Sequence, residues 1–88
     1  MSIRPVYIGA SWCAPCKTTK PLFAQVVSDE GLEAEYLDVE DYDSRVSDVR
    51  SVPTLRIYDD EGVLAEHVGG ATIAQIRALF EKGRNLAA

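Results

Sequence analysis

The sequence predicts an α/β fold with the element order βαβαββα, and three observations carry that prediction. A β-rich run near the N-terminus stops at a small-residue turn and leads into a segment with helical apolar spacing. Two later β-rich runs flank "DDEG", a stretch with hairpin chemistry. Thr72, followed three residues later by Gln75, has the signature of a capping box and opens an amphipathic segment close to the C-terminus.

The first run, residues 3 to 10, holds Ile3, Val6, Tyr7 and Ile8 without strict alternation, as a strand buried on both faces does, and Gly9 to Ser11 break it. From Ala14 to about Ser28 the stripe of Leu22, Phe23, Val26 and Val27 predicts a helix, kinked at Pro21. A second strand, Ala34 to Val39, follows the "DEG" turn. Val46 and Val49, three apart, place a short helix around Ser44 to Val49. Thr54 to Tyr58 and Val63 to Val68 read as two strands that pair antiparallel. Ile73, Ile76, Leu79 and Phe80 form the buried face of a last helix, which can stop near Gly83.

Length and composition bound the function. Eighty-eight residues make one domain, 1–88, and 47% hydrophobic with 26% charged residues suits a soluble globule rather than a disordered tail. The opening "MSIRPVYIGA" carries an arginine and a proline where a signal peptide needs an unbroken apolar run, and no stretch is apolar for about 18 residues. The expectation is a cytoplasmic protein with no membrane contact. Nine basic against fourteen acidic side chains leave a net charge of -5, which opposes binding to nucleic acid or anionic lipid.

The chemistry concentrates in "SWCAPCK", residues 11 to 17, which holds both cysteines and the single tryptophan. Cys13 falls at or just before the start of the first helix and Cys16 about one turn later, within disulfide reach. A bond closing so short a loop removes little chain entropy, so its value lies in being made and broken. Unpaired amides and the dipole at the helix N-terminus favour a thiolate at Cys13. Pro15, in the first turn, loses no hydrogen bond there and stiffens the loop between the sulfurs. Two other readings of the pair stay open on the residues alone. It is half of a zinc site, although only His67 and scattered carboxylates remain as ligands, or it is two inert buried thiols. Trp12 is either core packing or an exposed ring beside a reactive sulfur.

"WCAPCK" resembles the W-C-x-P-C-K active site of thioredoxins, and the likeness continues along the chain. Pro21 sits where that family kinks its active-site helix, "VPT" (Val52 to Thr54) resembles its cis-proline loop, and "HVGGAT" (His67 to Thr72) its glycine-containing loop before the last helix. The resemblance implies the thioredoxin fold, a four-stranded mixed sheet flanked by three helices. It implies a thiol-disulfide oxidoreductase in which Cys13 attacks and Cys16 resolves, with no bound cofactor and no metal. Trp12, Ala14, Pro15, Val52, Pro53 and Gly69 form the implied substrate surface. Pro53 is then cis, against the general preference for trans, and Val52 offers its backbone to an extended substrate segment. An exposed Cys13 and a flat apolar rim from Trp12 and Pro53 complete the expected docking face. The implied partners are disulfide-containing proteins and a thioredoxin-reductase-type electron donor, met by a monomer.

The sequence departs from the family in three places. Twelve residues precede Cys13, too few for the strand and helix that open a full-length thioredoxin, so the chain resembles the trimmed four-strand core shared with glutaredoxins, with an exposed sheet edge. Tyr7 stands where thioredoxins carry a buried acid and Tyr36 where they carry its lysine partner. "GAS" before Trp12 resembles a glutaredoxin strand end. A glutathione-dependent, glutaredoxin-like enzyme is therefore an alternative, although C-P-Y-C is absent and no aspartate follows Gly69 and Gly70. A noncatalytic module holding zinc or an iron-sulfur cluster through the cysteines is the other.

Overall fold

Strand β1, Arg4–Gly9, is buried from Pro5 onward, and the rest of the sheet assembles around it. The computed structural model describes residues 2–87. After β1 come helix α1 (Ala14–Asp29), strand β2 (Glu35–Asp38), a 3-10 turn (Ser44–Val46), strands β3 (Thr54–Asp59) and β4 (Gly62–Val68), and helix α2 (Ile73–Leu86). The strand order is β2-β1-β3-β4. β1 runs parallel to β2, with Tyr7 opposite Tyr36, and antiparallel to β3, with Tyr7 opposite Leu55. β3 and β4 pair antiparallel, as the "DDEG" turn predicts, with a register shift between Ile57 and Tyr58. The expected βαβαββα order and mixed sheet are both present.

Alternation along the strands sorts side chains between two layers. Tyr7, Leu55, Ile57 and Ala65 point to the face covered by α1 and α2, where they pack with Phe23, Val26, Ile76, Leu79 and Phe80. Val6 and Ile8 point the other way, onto Val46 with Leu37, Val39, Val49 and Tyr58 around it. That second face is roofed by the irregular segment after β2, and Arg56 holds the roof down. Arg56 is 5% exposed, and its guanidinium bonds Glu66 at 2.6 Å, Asp48 at 3.1 Å and the Arg45 carbonyl at 2.8 Å.

Two elements differ from expectation. The helix expected around Ser44 to Val49 is a single 3-10 turn, capped by the Asp43 carboxylate on the Arg45 amide at 2.8 Å. Val46 alone of its residues is buried, too small an apolar face to hold further helical turns. The last helix passes the expected stop and ends at Leu86. Gly83 is a packing residue inside it: a Cβ there would lie 2.9 Å from the Ile57 Cβ. The start of α2 is as expected, with both arms of the Thr72/Gln75 capping box formed. α1 continues through Pro21 as one 16-residue helix.

Candidate functional site

β1 ends at Gly9, the chain turns, and Cys13 becomes the N-cap of α1 with extended backbone. An N-cap side chain faces the first free amides of its helix, and here the Cys13 sulfur accepts from the Cys16 amide at 3.2 Å. Cys13 and Cys16 are joined by a disulfide, with their Cα atoms 5.3 Å apart. Pro15 occupies the first turn, where no intrahelical amide is lost.

The expected exposed Cys13 needs correction: both cysteines are only 4% exposed in this oxidised state. Both cysteines pack into the core on the helical side. Trp12 behaves as the second of its two readings, 68% exposed beside the buried pair. It lines an open groove of about 450 Å³ with Val39, Arg50, Ser51 and Val52.

The Val52–Pro53 peptide is cis, as the resemblance implied. Pro53 itself is fully buried, so the expected rim of Trp12 and Pro53 is also corrected. The apolar side chains lining the groove are Trp12, Val52 and Val39, and Pro53 is not among them. The Pro53 carbonyl accepts from the Gly69 amide at 2.8 Å, which ties the two loops together. Gly69 has φ of 97°, a backbone state that favours glycine over any side chain. The following loop is anchored to α1, because the buried Thr19 hydroxyl accepts from the Ala71 amide at 3.3 Å. At Gly70 a Cβ would come 3.8 Å from Pro15, so this loop borders the active-site turn.

Trp12 and Val52 thus meet in one groove, while Pro53, Gly69 and Pro15 are not among its lining residues. Ala14 is exposed on the first turn of α1. Sequence reasoning did not single out Val39, Arg50, Thr19 or Lys20. Arg50 was accessible to it, since it immediately precedes the "SVPT" stretch, and Lys20 stands four residues after Cys16 on the same helix. Val39 and Thr19 carry no such signal.

Beneath the disulfide, Tyr7 is 4% exposed, and its hydroxyl donates a long bond of 3.5 Å to the Cys16 carbonyl. Burial pushes the Tyr7 hydroxyl above its ordinary pKa, and Tyr36 is raised for the same reason. Neither tyrosine serves as a base near neutral pH. Among the described residues no group of three or more His, Cys, Asp or Glu is placed to hold a metal ion. No helix among them is long and apolar enough to cross a membrane.

The comparisons with known proteins agree with this geometry. A family model described as thioredoxin matches residues 5–82. The chain is 34% identical over 86 residues to the H-type thioredoxin of Chlamydomonas reinhardtii, covering 90% of this chain and 74% of that one. It is 32% identical over 76 residues to the thioredoxin of Pseudomonas aeruginosa, covering 82% and 70%. Thioredoxin 1 of Thermosipho africanus superposes with a TM-score of 0.78 at 21% identity, over 93% of this chain and 94% of that one. Thioredoxin f2 of Chlamydomonas reinhardtii gives 0.77 at 18% identity, over 91% and 77%. At those identities the structures speak for the thioredoxin fold, while the family match spans nearly the whole chain. A disulfide at the head of α1, in that fold and within that match, makes this chain a member of the thioredoxin family and a thiol-disulfide oxidoreductase working through its cysteine pair.

Proposed function

We propose that the chain is a protein disulfide reductase in which Cys13 is the attacking sulfur and Cys16 the resolving one. The observation that carries this assignment is the Cys16 amide directed at the Cys13 sulfur at 3.2 Å, at the positive end of α1. Once the pair is reduced, that environment stabilises negative charge on Cys13, and a thiolate is the species that attacks disulfides. Cys16 lies about one turn further along, inside α1 rather than at its N-cap, and within bonding reach of Cys13.

Substrate lies in the groove of Trp12 and Val52, where the backbone of Val52 pairs with an extended segment and Ala14, Pro15, Pro53 and Gly69 shape the approach. Apolar contact with backbone pairing tolerates many protein substrates. The oxidised pair is returned to the dithiol by a thioredoxin-reductase-type donor, and the protein acts as a monomer in the cytoplasm, where thiols are kept reduced.

Mass spectrometry tests the roles. Cys16→Ser is expected to accumulate a mixed disulfide with substrate, and Cys13→Ser to form none; the reverse pattern exchanges the two assignments. The donor is tested by supplying the oxidised protein with NADPH and a thioredoxin reductase from the same source, or with millimolar glutathione and its reductase. The first is expected to be much faster. Glutathione needs a partner for its charged ends, and Ala71, Thr72 and Ile73 after Gly70 provide no carboxylate, with Thr72 engaged in capping α2. A faster glutathione reaction places the chain with the glutaredoxins in function.

A further inference from the structure

A second pocket, of about 380 Å³, is distinct in its lining from the substrate groove and includes Cys16. Its lining includes Cys16, Lys17 and Lys20 of α1, Tyr7 of β1, and Tyr36 and Asp38 of β2. Lys20 stands one helical turn beyond Cys16 on the same face. Its ammonium lies 5.9 Å from the centre of the Tyr7 ring and 5.5 Å from that of Tyr36. Two aromatic faces so placed attract a cation, by about 0.5–1 kcal/mol at an exposed site, and restrict where a flexible lysine spends its time. The pair of tyrosines at the matched positions of β1 and β2 therefore acts as a seat for a charge supplied by the helix.

We infer that Lys20 is a positioning residue for the resolving step, its seated ammonium setting a positive potential in the pocket that Cys16 lines and favouring the Cys16 thiolate. The inference rests on the proposed role of Cys16. In that step the Cys16 thiolate attacks the Cys13 sulfur of the mixed disulfide. The Cys13–Cys16 bond forms, the bond from Cys13 to the substrate sulfur breaks, and its electron pair leaves with the substrate as a thiolate. The proton that Cys16 gives up passes to solvent, for which the pocket has room, since a water takes about 30 Å³. Substrate disulfide is reduced and the enzyme dithiol oxidised.

The other charged groups on the pocket do not duplicate this arrangement. Lys17 is also cationic and adjacent to Cys16, but among the described residues the aromatic contacts of a lysine are those of Lys20. Asp38 is the carboxylate among the lining residues, and it is engaged in its own turn, where its Oδ1 accepts from the Glu40 amide at 2.8 Å. Tyr7 and Tyr36 are neutral near pH 7, with burial raising both. A cation on the helix and two neutral rings beneath it make this a pocket that promotes ionisation of Cys16 by field.

The test measures Cys16 directly. In a Cys13→Ser background the thiolate absorbance of Cys16 is followed against pH, with Lys20 intact and as Lys20→Met, Lys20→Arg or, separately, with Asp38→Asn. Lys20→Met is expected to raise the Cys16 pKa by about half a unit to one unit, the size of a screened charge interaction. Lys20→Arg is expected to keep it low, and the difference is expected to shrink near 1 M salt, where screening acts within about 3 Å. In the two-cysteine protein, single-turnover resolution at pH 7 is expected to slow about two- to fourfold with Lys20→Met. The change in rate is smaller than the change in thiolate because a more basic thiolate is also more nucleophilic. An unchanged Cys16 pKa in Lys20→Met overturns the proposal, as does an equal shift in Lys20→Arg or a shift produced by Asp38→Asn in place of Lys20→Met. Because the titration reads Cys16 alone, it separates a failure of this proposal from a failure of the role assignment, which the adducts of Cys16→Ser and Cys13→Ser report.

Discussion

At the scale of single residues, Tyr7 and Gly9 are coupled. The Tyr7 side chain folds back across Gly9, so that a Cβ at Gly9 would meet Cε1 of the ring at 2.7 Å. Gly9→Ala is expected to destabilise the protein by about 1–3 kcal/mol, the scale of overpacking, read from urea unfolding. Tyr7→Phe is the milder change, since it keeps the ring and deletes only the 3.5 Å contact to the Cys16 carbonyl. Its reductase activity is expected to stay within about tenfold of the parent, because a buried neutral phenol is not a base at pH 7. A loss beyond about a hundredfold would show that the hydroxyl takes part in proton transfer. The same variant has a predictable pH signature. Burial raises the Tyr7 pKa in the folded state, so the stability it contributes is full below the unfolded value, about 10, and is lost as pH rises through the folded one. Alkaline melting curves of Tyr7→Phe are expected to fall less steeply above pH 10 than those of the parent.

At the scale of elements, α2 and the segment after β2 show two ways of closing a core. α2 lies close to β3 because Gly83 has no side chain. Gly83→Ala raises helix propensity by about 1 kcal/mol but sets a methyl against Ile57. The clash is expected to prevail and lower the melting temperature, and a rise would mean that α2 shifts outward without cost. The roof over the second face depends on Arg56. Removing one member of a buried ion pair is severe when it strands a buried charge, but the partners of Arg56 are not buried: the Asp48 side chain is 72% exposed and that of Glu66 39%. Arg56→Met is therefore expected to cost only about 1–2 kcal/mol, through the freed Arg45 carbonyl and lost packing. Hydrogen exchange is expected to quicken in residues 44–49 while α1 and α2 keep their protection.

At the scale of the whole molecule, charge and acid stability are linked. Asp43 is held down to about 2 by its bonds to the Arg45 side chain and backbone, and Glu35 is lowered by the same guanidinium. Their folded pKa values lie below the unfolded ones. The stability they contribute is therefore present above about pH 4 and is lost as pH falls through the folded values. Melting temperature is expected to fall between about pH 4 and pH 2, and Asp43→Asn to flatten that fall. Both carboxylates are at the surface and screened, so the effect is expected to be small and to weaken in salt.

Much of the site was legible because its signals are local. An N-cap cysteine, a proline in the first turn and a second cysteine one turn later depend on neighbours within a few residues, and "VPT" and "HVGGAT" follow in order along the chain. The same holds for the strands and for the capping box of α2, where periodicity or adjacent polar residues specify the backbone. Gly83 misled because a glycine late in a helix has the same sequence signal whether it ends the helix or lets it approach a strand. Only the position of Ile57 across the interface distinguishes the two. The short helix at 44–49 shrank to one turn because its apolar spacing says nothing about how much of it a sheet can cover. The burial of Cys13 and Pro53 and the groove of Trp12, Val39, Arg50 and Val52 were decided by tertiary structure, since solvent exposure depends on groups far apart in the chain. The seat of Lys20 was decided the same way. Tyr7 and Tyr36 become its floor only because β1 and β2 pair in parallel register, which brings side chains twenty-nine residues apart under one helix.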